Sequence, residues 1–350
     1  MEKLDQVISN FNIIQENFSY SPLTNGMIND TYLVSATGVP QFVLQKINTS
    51  VFTNVTSLIH NIDLVLPKLH TNDYEKVTLA KTKEGKTFYK SENNDFWRLM
   101  TYVKNSKVYN TTTDPEIAFE AGRIIGSFHK LLANLDPNLL QETLVDFHNI
   151  EFRYGQFLEA LPKAKTGNIE KAKAPIAFVK KHISMLLELQ KVKLKTRVCH
   201  NDTKLNNILF SVQKTGLCLI DLDTIMPGYF LYDFGDAVRT IVNQAPEDEI
   251  DLSLINFDQK IFKSFIKGIA ANGKLLTESE IEHLSLGPIL LPFLHGIRAL
   301  TDFLENNRYY KVRYEDQNLD RCNSLFEFSR LAIENKDFMD DCIKKHLIPE

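Results

Sequence analysis

The stretch that most constrains what this chain can fold into runs from Val198 to Asp236. Two short strand-like runs, 197–200 and 217–222, each deliver carboxylates to a strand end, and a polar loop with a further short apolar run lies between them. That layout suits cations and phosphate. Asp202 precedes Asn207 by five residues, and Asp221 follows Asn207 by fourteen.

The residue types fit phosphoryl transfer. That reaction needs little covalent help, so catalysis reduces to placing an acceptor hydroxyl in line and neutralising charge on phosphate oxygens. Asp202 suits the base that accepts or orients the hydroxyl proton, while Asn207 and Asp221 supply the hard oxygen ligands that Mg²⁺ prefers. Lys204 can reach the transferring phosphate. In an extended segment Asp223 shares a face with Asp221, so it is expected to serve a second metal or to hold the first through water. Taken singly, each Asp or Asn reads as a turn residue bonding its own backbone. The ordered set outweighs that reading. His200 faces away from its strand neighbours and reads as a buttress of the loop rather than an acid or base.

The motif His200-x-Asp202-x4-Asn207, followed by Ile220-Asp221-x-Asp223, resembles the aminoglycoside phosphotransferase superfamily of small-molecule kinases. This resemblance implies a protein-kinase-like, two-lobed α+β fold: an antiparallel β-sheet N-lobe over residues 1–103 that binds nucleotide, and a mainly helical C-lobe over 104–350 that holds catalysis and substrate. It implies ATP and Mg²⁺ as cofactors. Residues 25–31, 43–48 with Val51-Phe52, 219–228 and 296–302 are similar to the N-acetylhexosamine 1-kinases, so the similarity extends over nearly the whole chain. It implies transfer of the γ-phosphate to the anomeric hydroxyl of an N-acetylhexosamine, N-acetylglucosamine or N-acetylgalactosamine, giving the sugar 1-phosphate. Arg298 in Gly296-Ile297-Arg298, Tyr309 beyond the following helix, and Lys204 match residues that contact the sugar in those enzymes. Met27 departs from the pattern, because related kinases can carry a polar residue there.

Asp233-Phe234-Gly235 spells the protein-kinase metal motif, but it lies 31 residues beyond Asp202, whereas Asp221 lies 19 beyond and ends an apolar strand run. Asp221 is therefore the expected ligand. Asp233 sits at a helix start and is expected to anchor the catalytic loop's backbone.

In the N-terminal part, 5–18 reads as a short helix, followed by a hairpin whose polar tip begins at Asn25-Gly26 and includes Asn29. Its amides are placed to fold over a nucleotide phosphate. The strand 41–47 would carry the phosphate-binding lysine of protein kinases, but the register admits Gln45 or Lys46, and only one can face the nucleotide. With Gln45 inward the usual lysine–glutamate pair is absent, and the next helix, 54–70, offers Asp63 but no glutamate. Strands over 76–80, 87–90 and 95–103 complete an antiparallel sheet. Thr101, Tyr102 and Val103 then form the connector whose backbone groups bond adenine.

Asp114-Pro115-Glu116 is a helix start, and Ile117, Ala121, Ile124, Phe128 and Leu131 follow at helical spacing. The segment 141–154 has no period and reads as a loop near the acceptor site. Helices are expected over 175–194, 254–271 and 277–304.

With 43% hydrophobic and 24% charged residues there is ample material for a core, and a net charge of −4 leaves no electrostatic footprint for nucleic acid. The longest nearly apolar run, 284–294, contains Pro288 and Pro292 and falls short of the ~20 residues that span a bilayer. The first residues lack the apolar core of a signal peptide. Cys199, Cys218, Cys322 and Cys342 have no paired spacing, against a zinc site or disulfide framework. A cytoplasmic enzyme, monomeric or weakly dimeric, with no membrane partner is expected. Its rivals are a kinase of another sugar or an amino alcohol, against which Arg298 and Lys204 argue, and a nucleotide-binding protein without transfer activity, against which intact Asp202, Asn207 and Asp221 argue.

Overall fold

Alternating apolar positions in the N-terminal third build a five-stranded antiparallel sheet whose strands, counted along the chain, lie in the order first, second, third, fifth, fourth. The computed structural model describes residues 4–14, 16–23 and 28–348, so the expected tip residues Asn25, Gly26 and Met27 lie outside the described residues. Helix α1 (Leu4–Ile8) precedes β1 (Phe18–Pro22), β2 (Asp30–Ala36) and β3 (Val39–Ile47); helix α2 (Val55–Val65), β4 (Tyr89–Lys90) and β5 (Phe96–Thr101) follow. Val34, Leu44, Trp97 and Leu99 meet Val7, Ile8 and Phe11 in a small core on one side of the sheet.

The helix expected over 5–18 ends early. Asn12 N donates to Lys81 O at 2.7 Å, and Phe11 bridges to Thr82, so tertiary pairing draws the chain out of the helix and buries the Phe11 ring. The segment 76–80 is likewise no regular strand. It runs beside β5 through Ala80 N to Leu99 O (2.8 Å) and Thr101 N to Thr78 O (3.0 Å), with a single bridge at Leu79.

The rest of the chain is helical around two small sheets. Strand β6 (Ser106–Lys107) leads to α3 (Pro115–Leu131), which Asp114 caps by accepting from Glu116 N at 2.9 Å. Its expected stripe, including Ile117, Ala121, Ile124 and Phe128, is buried. Helices α4 (Ile150–Ala160), α5 (Thr166–Lys171) and α6 (Lys173–Leu189) then reach β7 (Thr196–Cys199). Strands β8 (Ile208–Ser211) and β9 (Gly216–Leu219) form a hairpin beside β6, while β10 (Met226–Tyr229) pairs with β7. The chain closes with α7 (Phe230–Ile241), α8 (Gln259–Ala270), α9 (Glu278–His283), α10 (Gly287–Leu304), α11 (Gln317–Glu334) and α12 (Lys336–Leu347). The architecture is a protein-kinase-like one, with an antiparallel sheet lobe and a helical lobe.

The apolar run 284–294 ends up inside the helical lobe, most of it in α10, which packs across α7. The crossing is close because both helices place glycine there. A Cβ on Gly235 would stand 2.3 Å from Gly287 O, so the letter that completes the Asp-Phe-Gly tripeptide serves helix packing. Gly235→Ala is expected to destabilise the fold by about 1–3 kcal/mol through overpacking, read as a lower denaturation midpoint with an unchanged slope.

Candidate active site

The loop 200–207 leaves β7 and enters β8, and its backbone is held from beneath. Asp233, in the first turn of α7 and fully buried, accepts His200 N at 2.9 Å and Asn201 N at 2.6 Å, and its carbonyl accepts the Thr203 hydroxyl. His129 Nε2 contacts the same carboxylate at 2.8 Å, so this histidine is packed into the scaffold. His200 Nε2 bonds Ile220 O at 2.8 Å, tying the loop to the chain just before Asp221. His129, Cys199 and Asp233 cluster, yet burial pushes the Cys199 thiol well up and Asp233 is spent on backbone N–H groups. A thiol held protonated is a poor metal ligand, and the cluster reads as scaffold.

Above this floor three oxygen-bearing side chains share one region. Asn207 Nδ2 donates to Asp202 Oδ2 at 2.9 Å and to Asp202 O at 2.7 Å, and among the described residues nothing donates to Asn207 Oδ1. Asp221 adopts a left-handed backbone (φ 63°, ψ 55°), which turns its carboxylate toward the cleft, where it accepts no hydrogen bond from the described residues. Although the group opens to solvent, the surrounding protein mass, then Asp223 and Asp202, push its pKa up to about 6 against the pull of Lys204 and Arg98. An unpaired carboxylate beside a free amide oxygen, with excess negative charge, fits a hard divalent cation. Lys204 Nζ lies 3.0 Å from Asp202 Oδ2. Desolvation lowers its pKa, but Asp202, Asp221 and Asp236 outweigh this and raise it, so Lys204 is a fixed positive charge.

On the sheet side, Gln45 faces this loop and Lys46 does not. Lys46 Nζ pairs with Asp95 at 2.9 Å on the other face of β3. Gln45 Nε2 donates to Thr31 Oγ1 at 3.1 Å, and its Oε1 accepts Arg98 Nε (2.9 Å) and Nη2 (2.7 Å). Arg98, opposite Gln45 on β5 and 1% exposed, extends Nη1 to within 2.5 Å of Asp223 Oδ1. Asn29 Nδ2 donates to Asp223 Oδ2 at 2.7 Å, and Asn29 Oδ1 accepts Asn48 N at 2.9 Å. Both oxygens of Asp223 are thus engaged by the sheet lobe. Asp63 turns outward to the Thr87 hydroxyl at 2.8 Å, so no lysine–glutamate pair forms from α2. Arg98 is the residue sequence reasoning missed, and its signal was a charged side chain inside the otherwise apolar and aromatic run Phe96 to Met100. At the connector, Tyr102 N is taken by Gln41 O at 2.9 Å and Thr101 N by Thr78 O at 3.0 Å, while Val103 N has no partner among the described residues.

Behind Lys204 lies a charge chain that starts at the buried Asp236 and Arg239. Arg239 binds Asp236 Oδ1 at 2.7–2.8 Å and also Glu247, which Arg321 binds in turn. Burial alone would raise the Asp236 carboxyl, but Arg239 and His295, 3.7 Å away, hold it far below the usual range. The segment 141–149 crosses this region as a loop. From it, His148 Nε2 meets Asn201 O at 3.1 Å, and burial pushes His148 down to about 3, so it stays neutral. Arg298 lies over the Phe147 ring at 5.4 Å and the Tyr310 ring at 6.0 Å. Tyr309 is 69% exposed, its N–H and that of Tyr310 held by Asp302 at 2.7 and 3.0 Å. Tyr310 rather than Tyr309 is the ring stacked on Arg298.

The sequence profile of the phosphotransferase enzyme family (APH) matches residues 19–258. The whole fold is similar to that of a microcompartment-associated aminopropanol kinase, with a TM-score of 0.64 at 16% identity over 96% of this chain and 98% of that one. It is similar also to a spectinomycin phosphotransferase, APH(9)-Ia, solved with ADP and spectinomycin (0.59, 11%, 95% and 98%). Choline kinase from Cryptosporidium parvum Iowa II matches at 0.58 and 13% identity over 97% and 96% of the two chains. These likenesses establish the fold.

Because Arg98 and Asp223 are buried together, Arg98→Met is expected to cost about 3–5 kcal/mol by stranding a carboxylate, and adding Asp223→Asn to recover part of it. A double-mutant cycle by chemical denaturation measures the coupling, and additive losses would show that the pair does not interact.

Proposed function

The chain belongs to the phosphotransferase enzyme family, and from that premise we propose that it transfers the γ-phosphate of ATP to the anomeric hydroxyl of an N-acetylhexosamine. The observation that carries transfer is the grouping of Asp202, Asn207 and Asp221 on one anchored loop system, with Lys204 against the base.

In this reading the nucleotide lies between the lobes, its adenine on the Val103 N–H and neighbouring connector groups. Asn207 Oδ1 and the Asp221 carboxylate would hold Mg²⁺, which when bound neutralises charge on the phosphate oxygens. Asp223 is committed to Arg98 and Asn29, so its part is to position the metal loop from the sheet side. Asp202 Oδ2 is fixed by Asn207 and Lys204, leaving Oδ1 for the incoming hydroxyl. As the acceptor oxygen attacks the γ-phosphorus its proton passes to Asp202, while the bond from that phosphorus to the β,γ-bridging oxygen breaks and ADP departs with the bonding electron pair. Lys204 faces the transferring phosphate with a charge that does not titrate near neutrality.

The sugar reading draws support from Arg298, whose forked donors suit hydroxyl and carbonyl oxygens, and from Tyr309, whose exposed ring meets Tyr310 edge-on. The similarity to the aminopropanol and choline kinases favours a second reading, an amino-alcohol acceptor. A panel of free sugars and amino alcohols incubated with ATP and Mg²⁺, with the product and its phosphorylated position identified, separates the two.

Asp202→Asn is expected to slow transfer by about 10²- to 10⁴-fold while leaving ATP binding near that of the wild type by calorimetry; unchanged turnover would remove Asp202 from its role. A second expectation concerns pH. Asp221 would have to be deprotonated to hold Mg²⁺, and its carboxyl is pushed up to about 6. Affinity for Mg²⁺, measured as metal-dependent nucleotide binding, should therefore fall toward tenfold per pH unit below that value and level off above it. An affinity constant across that range would exclude Asp221 as a ligand.

A further inference from the structure

A row of polar residues crosses one face of the sheet. Thr31 of β2 stands opposite Gln45 of β3, and Gln45 stands opposite Arg98 of β5. Directly paired residues on antiparallel strands share a face, so these side chains lie side by side. Gln45 joins them, with Nε2 donating to Thr31 Oγ1 at 3.1 Å and Oε1 accepting Arg98 Nε and Nη2 at 2.9 and 2.7 Å. By strand alternation the rest of that face is apolar, with the pair Val43 and Met100 on one side of the row and Ile47 and Phe96 on the other.

Protein kinases place on β3 a lysine that pairs with the nucleotide phosphates. Here Lys46 is taken by Asp95 on the far face, and the inward residue is the neutral Gln45. A lysine at 45 would stand against the Arg98 guanidinium, and like charges directly opposite are destabilising. An amide that turns its oxygen to Arg98 avoids this, so the positive charge of this face sits one strand over, on β5. It stands beside the metal loop: Nη1 comes within 2.5 Å of Asp223 Oδ1, two residues after Asp221. The contacts among the described residues use one N–H on Nε and one on each Nη, which leaves a second N–H on each Nη. A buried guanidinium with open donors is costly, and phosphate oxygens match its planar fork. Stability alone is a poor account of the pair, since buried ion pairs gain little over apolar residues of similar volume.

We propose that Arg98 is the phosphate anchor of the sheet lobe: Gln45 and Asp223 fix its guanidinium, and the remaining Nη N–H groups meet oxygens of the nucleotide's α- or β-phosphate. This rests on the nucleotide-binding half of the phosphotransfer reading above and deepens it. The Arg98 side chain is 2% exposed, so a nucleotide reaches it by parting the Asn29 contact to Asp223. Gln45 acts as a positioning residue. Because Gln45 and Asp223 orient the cation, no glutamate from α2 is needed, in keeping with the outward turn of Asp63 to Thr87.

The test is calorimetric binding of ADP and adenosine to the full chain, with Mg²⁺ and again in EDTA. Arg98→Gln should bind ADP about 10- to 100-fold more weakly than wild type in both buffers, and adenosine within about twofold of it. Adding Gln45→Lys, which returns a cation to β3, should recover most of that loss. Arg98→Lys keeps a charge for Asp223 and serves if Arg98→Gln does not fold. Having lost the fork, it should lose about 3- to 10-fold for ADP and nothing for adenosine. Equal losses for ADP and adenosine, an unchanged ADP affinity, no recovery on adding Gln45→Lys, or a wild type that does not prefer ADP would each overturn the anchor. So would a loss confined to the Mg²⁺ buffer, which would leave Arg98 acting only on the metal loop through Asp223. The transfer reading falls separately: ADP binding that depends on Arg98, with no acceptor phosphorylated, would sustain the anchor and remove the reaction.

Discussion

The buried carboxylate of Asp233 is the contact on which the site's geometry depends. It receives the N–H groups of His200 and Asn201, meets His129 on the oxygen that accepts His200, and sits at the positive end of α7. The loop that carries Asp202, Lys204 and Asn207 would otherwise have polar backbone facing an apolar interior. Satisfying those groups from below leaves the upper side chains free to point into the cleft. Gly235 belongs to the same device, because it lets α10 approach α7 and hold that helix's first turn in place.

Charge in the cleft is arranged by contrast. Behind Asp202, the buried pair Asp236 and Arg239 continues into the half-buried Glu247 and Arg321, and the four neutralise one another, so they act as framework. In front, Asp221 and Arg298 make no ion pair with an oppositely charged side chain among the described residues. Groups that the fold leaves uncompensated are those with work for a ligand to complete. The same region holds His148 neutral by burial.

Much of this was legible in the sequence because the functional side chains lie close together along the chain. The spacing of Asp202, Asn207 and Asp221 reflects a strand, a loop and a hairpin that have little freedom of length. The anchoring role of Asp233 followed from its place at a helix start, and the buttressing by His200 from strand alternation. Long-range matters were not legible. Whether Gln45 or Lys46 turns inward is decided by pairing with β5, and Arg98 matters because of Asp223, 125 residues away in the sequence. The early end of α1 came from a partner near Thr82 that local propensity does not see. The stacking of Arg298 on Phe147 and Tyr310 exists only once α10 meets the segment 141–149, which showed no period.

Arg98 and Asn29 belong to the sheet, Asp223 to the helical lobe, and all three meet where water is scarce. Swinging the small lobe outward must strip both partners from one carboxylate before solvent can enter to replace them. An ion pair this shielded from water is little screened by added salt, so the junction between sheet and helical lobe is held by a contact that ionic strength alone does not loosen.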